Sequence, residues 1–148
     1  MIQEITIKNF LSFKDKVSFN FEATNDKFAE ESQVVTINKH TRLLRFAIIY
    51  GYNASGKSNL LSTFDFLNYF WSYKPTDLDS GTGVIPFMFD KASINEPSYF
   101  EIIFFVKNTK YCYQLELDQH QVYLEKLSYY KTIQPIMLFE RTLKNGQS

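Results

Sequence analysis

The sequence predicts an α/β protein in which strands lie before and after one long helix. Three observations support this fold class: a continuous apolar run before a glycine-containing loop, a helical spacing of apolar residues after that loop, and alternating apolar and polar segments in the last third. Aromatic residues make up 18% of the 148 residues, and strands favour such side chains. This length suits one domain, or a large piece of one.

The N-terminal region is expected to form strands. "IQEITIK" (2–8) and "KVSFNFE" (16–22) alternate apolar and polar side chains, as half-buried strands do. A third strand is predicted over 33–37, after a polar loop. "RFAIIY" (45–50) differs, because its apolar residues run without alternation. This pattern is typical of a strand covered on both faces, so we expect residues 45–50 to be the buried central strand.

A helix is predicted from about residue 58 to residue 73. Leu60, Phe64, Leu67 and Trp71 recur at spacings of four, three and four, which places them on one face. The Lys-Pro pair at 74–75 is expected to end this helix, and residues 75–84 to form a loop.

The last third predicts an antiparallel β meander. Strand-like segments cover 99–106, 110–118, 121–131 and 136–142, with short polar connections. Residues 107–110 suit a two-residue hairpin turn with Asn108 at positive φ.

Residues 51–58, "GYNASGKS", match the pattern G-x-x-x-x-G-K-[ST] at every fixed position. Glycines permit the tight turn and the close approach of a phosphate, and the following helix presents unpaired N–H groups and a positive dipole end. The alternative is a glycine turn with an incidental Lys-Ser pair. The phosphate-binding residues predicted here are Gly51, Asn53, Ala54, Ser55, Gly56, Lys57, Ser58 and Asn59.

The expected ligands of this loop are ATP and Mg²⁺. Lys57 would reach the β and γ phosphates, and the Ser58 hydroxyl would take one position on the metal. ATP and GTP are not distinguished by the loop.

Several segments together resemble a known family. "MIQEITIKNFLSFKDKVSFNFEA", "AIIYGYNASGKSNLL", "PFMFD" and "NEPSYFEIIFF" are similar to the start of AAA-family ATP-binding proteins of the ABC class, relatives of the RecF, SMC and overcoming-lysogenization-defect ATPases. Bacteria often carry such proteins in phage-defence operons. The resemblance implies a P-loop NTPase fold, of which residues 1–148 would be the N-terminal lobe.

The resemblance also implies a second contact with the nucleotide. Asn9, Phe10, Ser12 and Phe13 would lie on the adenine or ribose side. Relatives commonly have Arg where this chain has Leu11, so the contact made by that Arg is not expected. The alternative for residues 9–13 is a strand-to-turn transition with two core phenylalanines.

Hydrolysis by this class needs an apolar strand ending in Asp-Glu, and no predicted strand ends that way. Asp90 and the "LELD" segment (115–118) are interpreted as loop and surface carboxylates, and His40 and His120 as surface residues. We therefore expect no catalytic residue in this segment and a C-terminal lobe outside it. Within the segment, 1–74 would hold the strands, loop and helix, 75–98 a loop, and 99–148 an antiparallel subdomain.

Charge and composition limit the partners. Sixteen basic residues balance sixteen acidic ones, so no global field attracts nucleic acid. Cys112 is the single cysteine and is interpreted as a small, buried or half-buried strand residue. No apolar stretch approaches the length of a membrane span, so we expect a cytoplasmic protein without membrane contact.

The resemblance implies a homodimer of the full-length protein, with an effector protein as a further partner. Two alternative functions remain: a nucleic-acid-binding module that stacks bases on aromatic strands, and a partner-docking module that uses a sheet edge.

Overall fold

The computed structural model of the chain describes residues 1–27, 29–72 and 81–143. It is an α/β structure in which every pairing between the described strands is antiparallel. Its elements in chain order are β1 (Ile2–Lys8), β2 (Val17–Asn20), α1 (Glu30–Gln33), β3 (Val34–Asn38), β4 (Thr41–Leu44), α2 (Lys57–Ser72), α3 (Lys91–Ile94), β5 (Ser98–Val106), β6 (Thr109–Leu117), β7 (Val122–Tyr130) and β8 (Pro135–Thr142).

The main sheet has six strands in the order β2-β1-β5-β6-β7-β8. Strand β1 pairs with β5, so that Ile5 lies opposite Ile102 and Ile7 opposite Phe100. Strands from before and after α2 therefore share one sheet. Strands β3 and β4 form a separate two-stranded sheet.

The predicted meander is confirmed, since β5 to β8 pair in succession. The turn between β5 and β6 is a two-residue connection, because Val106 pairs with Thr109. Lys107, not Asn108, has the positive φ, at 53°. The predicted position within the turn was therefore wrong by one residue.

The core lies between α2 and one face of the main sheet. Phe10, Phe66 and Phe100 meet there, with ring centroids 5.1–5.4 Å apart. Aromatic pairs at such distances add to the stabilisation that burial itself provides.

The buried stripe of α2 differs in part from the predicted one. Leu60 and Leu67 are buried as predicted, and Thr63 and Phe66 join them. Phe64 is half-buried, and Trp71 is 52% exposed. Positions 60, 63 and 67 also recur at helical spacing. The face of α2 that meets the sheet therefore lies slightly to one side of the predicted stripe of residues 60, 64, 67 and 71. Helix α2 ends at Ser72, and the predicted stop at 74–75 lies outside the described residues.

The predicted buried central strand over 45–50 was wrong. Strand β4 ends at Leu44, and residues 46–50 are neither in a strand nor buried. Ile48 is 76% exposed and Tyr50 89% exposed. A continuous apolar run predicts two-sided burial only if other segments cover it, and no strand within the described residues pairs with this one.

Among the described residues, no helix is both long and apolar enough to cross a bilayer.

Candidate functional site

The glycine-containing loop connects the exposed segment 46–50 to the start of α2. Ala54 and Gly56 adopt positive φ values of 63° and 84°, and the Ser55 N–H donates to the Tyr52 carbonyl at 3.3 Å. Left-handed backbone at a non-glycine residue is uncommon and is found mainly where the surrounding structure imposes it. The loop therefore folds back on itself before the helix begins at Lys57.

Several backbone donors of this loop have no partner in the protein. The N–H groups of Asn59 and Leu60 both donate to the Gly56 carbonyl, at 3.0 and 3.3 Å. Within residues 1–27, 29–72 and 81–143, no group accepts a hydrogen bond from the N–H of Asn53, Ala54, Gly56, Lys57 or Ser58. These five donors lie at the N-terminal end of a 16-residue helix, where the helix dipole is positive.

The Lys57 side chain lies across the loop. Its Nζ donates to the Gly51 carbonyl at 2.9 Å and to the Tyr52 carbonyl at 2.6 Å, and it is 3.4 Å from Ser55 Oγ. The ammonium thus joins the start of the loop to the start of the helix. The ammonium is therefore held on exposed carbonyls at the start of the loop.

The predicted metal ligand of the loop is the Ser58 hydroxyl. Ser58 is exposed at the second residue of α2. The described residues contain no group of three or more His, Cys, Asp or Glu side chains that could hold a metal. Mg²⁺ keeps most of its waters and binds phosphate oxygens through few protein ligands, so a single hydroxyl suits a magnesium ion that enters with a polyphosphate.

The turn that follows β1 lies directly beside this loop. Phe10 and Phe13 exchange backbone hydrogen bonds of 2.9 and 2.8 Å, which closes a tight turn over Leu11 and Ser12. A Cβ atom added to Gly56 would lie 2.8 Å from Ser12 Oγ. Turn 10–13 and the loop therefore touch at this point, and the φ of 84° is what favours glycine at position 56.

Asn9 fixes this turn to the rest of the molecule. Its side chain is buried, and its Nδ2 donates to the carbonyls of Ser93 and Glu96 at 2.7 and 2.8 Å. Its Oδ1 accepts from the Phe87 N–H at 3.0 Å. Because this amide is buried and both of its Nδ2 hydrogens have acceptors, Asn9 positions the turn and is not accessible to a ligand.

The other three residues of the predicted adenine or ribose side are placed differently. Phe10 is buried against Phe66 and Phe100, and Phe13 is half-buried with its ring 5.9 Å from that of Phe19. Ser12 is exposed and faces Gly56. Of the four, only Ser12 both contacts the loop and remains accessible.

The remaining polar candidates either bond to other residues of the protein or lie on its surface. Asp90 accepts a hydrogen bond from Ser93 Oγ at 3.0 Å and pairs with Lys14 at 3.2 Å; these contacts hold the pKa of its carboxyl below the ordinary value. Asp118 accepts from two backbone N–H groups of its own turn. His40 and His120 are exposed, as expected.

Cys112 is half-buried, as predicted. Burial, together with the nearby Glu101, raises the pKa of its thiol to about 11. A thiol with such a pKa is rarely ionised, and therefore weakly nucleophilic.

Sequence reasoning missed two features of the site. One is the contact between Ser12 and Gly56, and the other is the use of Asn9 as a clamp. The "KNFLSF" block marked the right turn, but sequence spacing alone gives no distance between that turn and a loop some 40 residues away.

A family model described as "AAA domain, putative AbiEii toxin, Type IV TA system" matches residues 46–147, which is more than half of the chain. Comparison with curated proteins gives no match. The family match includes the whole of the loop and α2, and an AAA domain indicates nucleotide binding and an ATPase-like function. The chain belongs to this family of AAA domains.

Proposed function

We propose that residues 51–58 are a Walker A loop that binds the triphosphate of ATP, and that the complete protein hydrolyses ATP with Mg²⁺. The observation that supports this most is the set of five unpaired N–H groups in the loop and at the start of α2, where loop carbonyls also hold the Lys57 ammonium. Asn53, Ala54 and Ser58 are exposed, so their amides are accessible to a ligand. Phosphate oxygens are suitable acceptors at a helix N-terminus.

The loop residues would divide the work as follows. The amides of Asn53, Ala54 and Gly56 bind phosphate oxygens from the loop, and those of Lys57 and Ser58 bind them from the helix end. Lys57 exchanges its carbonyl partners for phosphate oxygens, and its positive charge then offsets theirs. The Ser58 hydroxyl contacts Mg²⁺, which supplies further neutralisation of the phosphates when it is bound.

We assign the nucleoside side of the ligand to the turn over residues 10–13. Ser12 provides an accessible hydroxyl next to Gly56, while Asn9, Phe10 and Phe13 hold the turn from behind. Leu11 supplies no cation here. This side therefore contributes shape and one hydrogen-bonding group, and the loop contributes the charge.

Hydrolysis requires a carboxylate to orient water, and we propose that a C-terminal lobe supplies it. A strand of that lobe ending in Asp-Glu would pair with residues 45–50, whose apolar side chains are exposed. Dimerisation of the complete protein, and a role in phage defence, belong to the same proposal. They are supported by the resemblance of the sequence.

The test is ATP binding by a Lys57→Ala variant, measured by isothermal titration calorimetry. We expect the affinity for ATP with Mg²⁺ to fall at least about tenfold, since a charge-assisted contact to phosphate contributes about 1.5–3 kcal/mol. The thermal unfolding midpoint should stay the same, because the lysine's acceptors are exposed loop carbonyls. Lys91→Ala, in the exposed start of α3, is the control and should bind as wild type. Equal affinity in both variants would contradict the assignment.

A further inference from the structure

A cavity open to solvent lies at the end of the main sheet, among the β3–β4, β5–β6 and β7–β8 turns. Its volume is about 730 Å³, and its lining includes Lys39, His40, Asn108, Lys110, Tyr130 and Lys131. We call this cavity the basic groove. None of the residues lining it carries a carboxylate.

The lysines of the basic groove keep their charge uncompensated. Lys110 Nζ lies 5.6 Å from the centre of the Tyr130 ring, and Lys131 Nζ lies 5.8 Å from the centre of the Tyr129 ring. No carboxylate of the described residues pairs with Lys39, Lys110 or Lys131, whereas Lys126 on β7 pairs with Glu140 at 2.8 Å. A tyrosine ring orients an ammonium without neutralising it, so these cations remain available to an anion.

The basic groove is separate from the phosphate-binding loop. Strand β1 runs from Ile2, opposite Phe104, to Lys8, opposite Tyr99. The turn that contacts Gly56 follows Lys8, while the basic groove is lined by Phe105 and Asn108 at the other end of β5. The two sites therefore lie at opposite ends of the same strand pair and share no residue.

We propose that the basic groove binds a small, multiply phosphorylated molecule, as a second ligand site distinct from the loop at 51–58. Three lysines without a carboxylate partner line the groove, Lys131 with its Nζ towards the Tyr129 ring, and their charge suits a ligand with several negative charges. The side-chain amide of Asn108 and the imidazole of His40 add hydrogen-bonding groups, and the Tyr130 ring adds an apolar surface. The volume lies within the range of about 300–1,000 Å³ that is usual for small-molecule sites.

The test uses inorganic tripolyphosphate as the probe, in a Lys57→Ala background that weakens the other phosphate site. Binding is measured by calorimetry, without Mg²⁺, for this protein and for two derivatives. The first carries Lys39→Ala, Lys110→Ala and Lys131→Ala. The second carries Lys16→Ala, Lys27→Ala and Lys91→Ala, which remove the same charge elsewhere; Lys16 also lies over a tyrosine ring, that of Tyr99. Circular dichroism melts check that all three proteins are folded.

We expect one tripolyphosphate to bind per chain, at least about tenfold more weakly after the groove substitutions and within about twofold after the control substitutions. Equal weakening in both derivatives, or no saturable binding in the Lys57→Ala protein, would overturn the proposal. A single-stranded oligonucleotide that binds more tightly than tripolyphosphate, with the same dependence on the groove lysines, would also overturn it, because the occupant would then be a polymer. Lys57→Ala leaves the basic groove intact, so this result and the ATP-binding test can fail independently.

Discussion

Apolar residues are buried in the β1–β5 strand pair but exposed in segment 45–58. In the strand pair, Ile5, Ile7 and Phe100 are completely buried beneath α2. In the segment, Ile48 and Tyr50 are mostly exposed, and the amides that follow them at residues 53–58 are largely unpaired. Both regions have apolar sequences, but only the first finds its partners within the described part of the chain.

This difference in burial distinguishes residues that stabilise the fold from residues that are available to bind a ligand or another segment. Exposed contiguous apolar residues are typical of interaction surfaces, and unpaired amides at a helix start are typical of anion sites. Segment 45–58 has both properties. We therefore expect substitutions in the strand pair to change stability, and substitutions in the segment to change binding.

The largest expected effect comes from the same substitution made in the two regions. Ile5→Ala removes a fully buried side chain and should lower the free energy of unfolding by about 2–5 kcal/mol. Ile48→Ala removes one that is 76% exposed and should change it by less than about 0.5 kcal/mol. Urea denaturation followed by circular dichroism measures both values.

A loss at Ile48 as large as that at Ile5 would show that segment 45–50 is packed in solution. The comparison between the two regions would then fail.

The next effect concerns the clamp at Asn9, which holds the turn after β1 to residues 87–96. Asn9→Ala leaves two carbonyls and one N–H without their partners, one of the three bonds being buried and two part-buried, which should cost about 2–3 kcal/mol of unfolding free energy. Asn38→Ala is the matched control, because its exposed side chain accepts a single hydrogen bond, from the His40 N–H, and its loss should cost less than about 1 kcal/mol. If the two variants unfold at the same urea concentration, the hydrogen bonds of the Asn9 side chain do not contribute measurably to the free energy of unfolding.

The smallest expected effect is a pH dependence at Asp90, near the clamp. The hydrogen bond from Ser93 and the charge of Lys14 hold the pKa of this carboxyl below its ordinary value of 3.8. A depressed pKa stabilises the fold above the ordinary value, and this stabilisation is lost as pH falls through the folded-state pKa. Thermal midpoints of wild type should therefore exceed those of Asp90→Asn at neutral pH, and the gap should close below pH 3.8. A gap that is constant with pH would exclude a charge effect.

Much of the sheet could be predicted from the sequence, because its strands alternate. Strand β1 was predicted with its observed bounds, and β5 to β8 within one or two residues. Alternation is a local property, and each strand's neighbours along the chain are also its neighbours in the meander. The pairing of β1 with β5, across nearly 100 residues, leaves no such local signal.

The error at 45–50 has the same origin. The apolar run from Phe46 to Ile49 predicts burial, but the sequence does not indicate which segment would cover it. Strand β4, just before it, was missed because "TRLL" is short and does not alternate.

For the candidate site, the sequence predicts the loop as a phosphate site but does not predict its surroundings. The loop can be predicted from spacing alone, because each fixed position of the motif has a chemical role; these positions are Gly51, Gly56, Lys57 and Ser58. The position of Ser12 against Gly56 depends on how β1, the turn and α2 pack, which is a tertiary property.

The central claim is that the amides at the start of α2 bind phosphate, and a ¹⁵N–¹H NMR titration tests it most directly. The chain of 17.5 kDa is within reach of this method, and ATP with Mg²⁺ is added stepwise to the wild-type protein. We predict that the largest chemical-shift changes occur at Asn53, Ala54, Gly56, Lys57 and Ser58, with Ser12 next. If these amides stay unchanged at saturating ATP while others move, the nucleotide does not bind at this loop and the account is wrong.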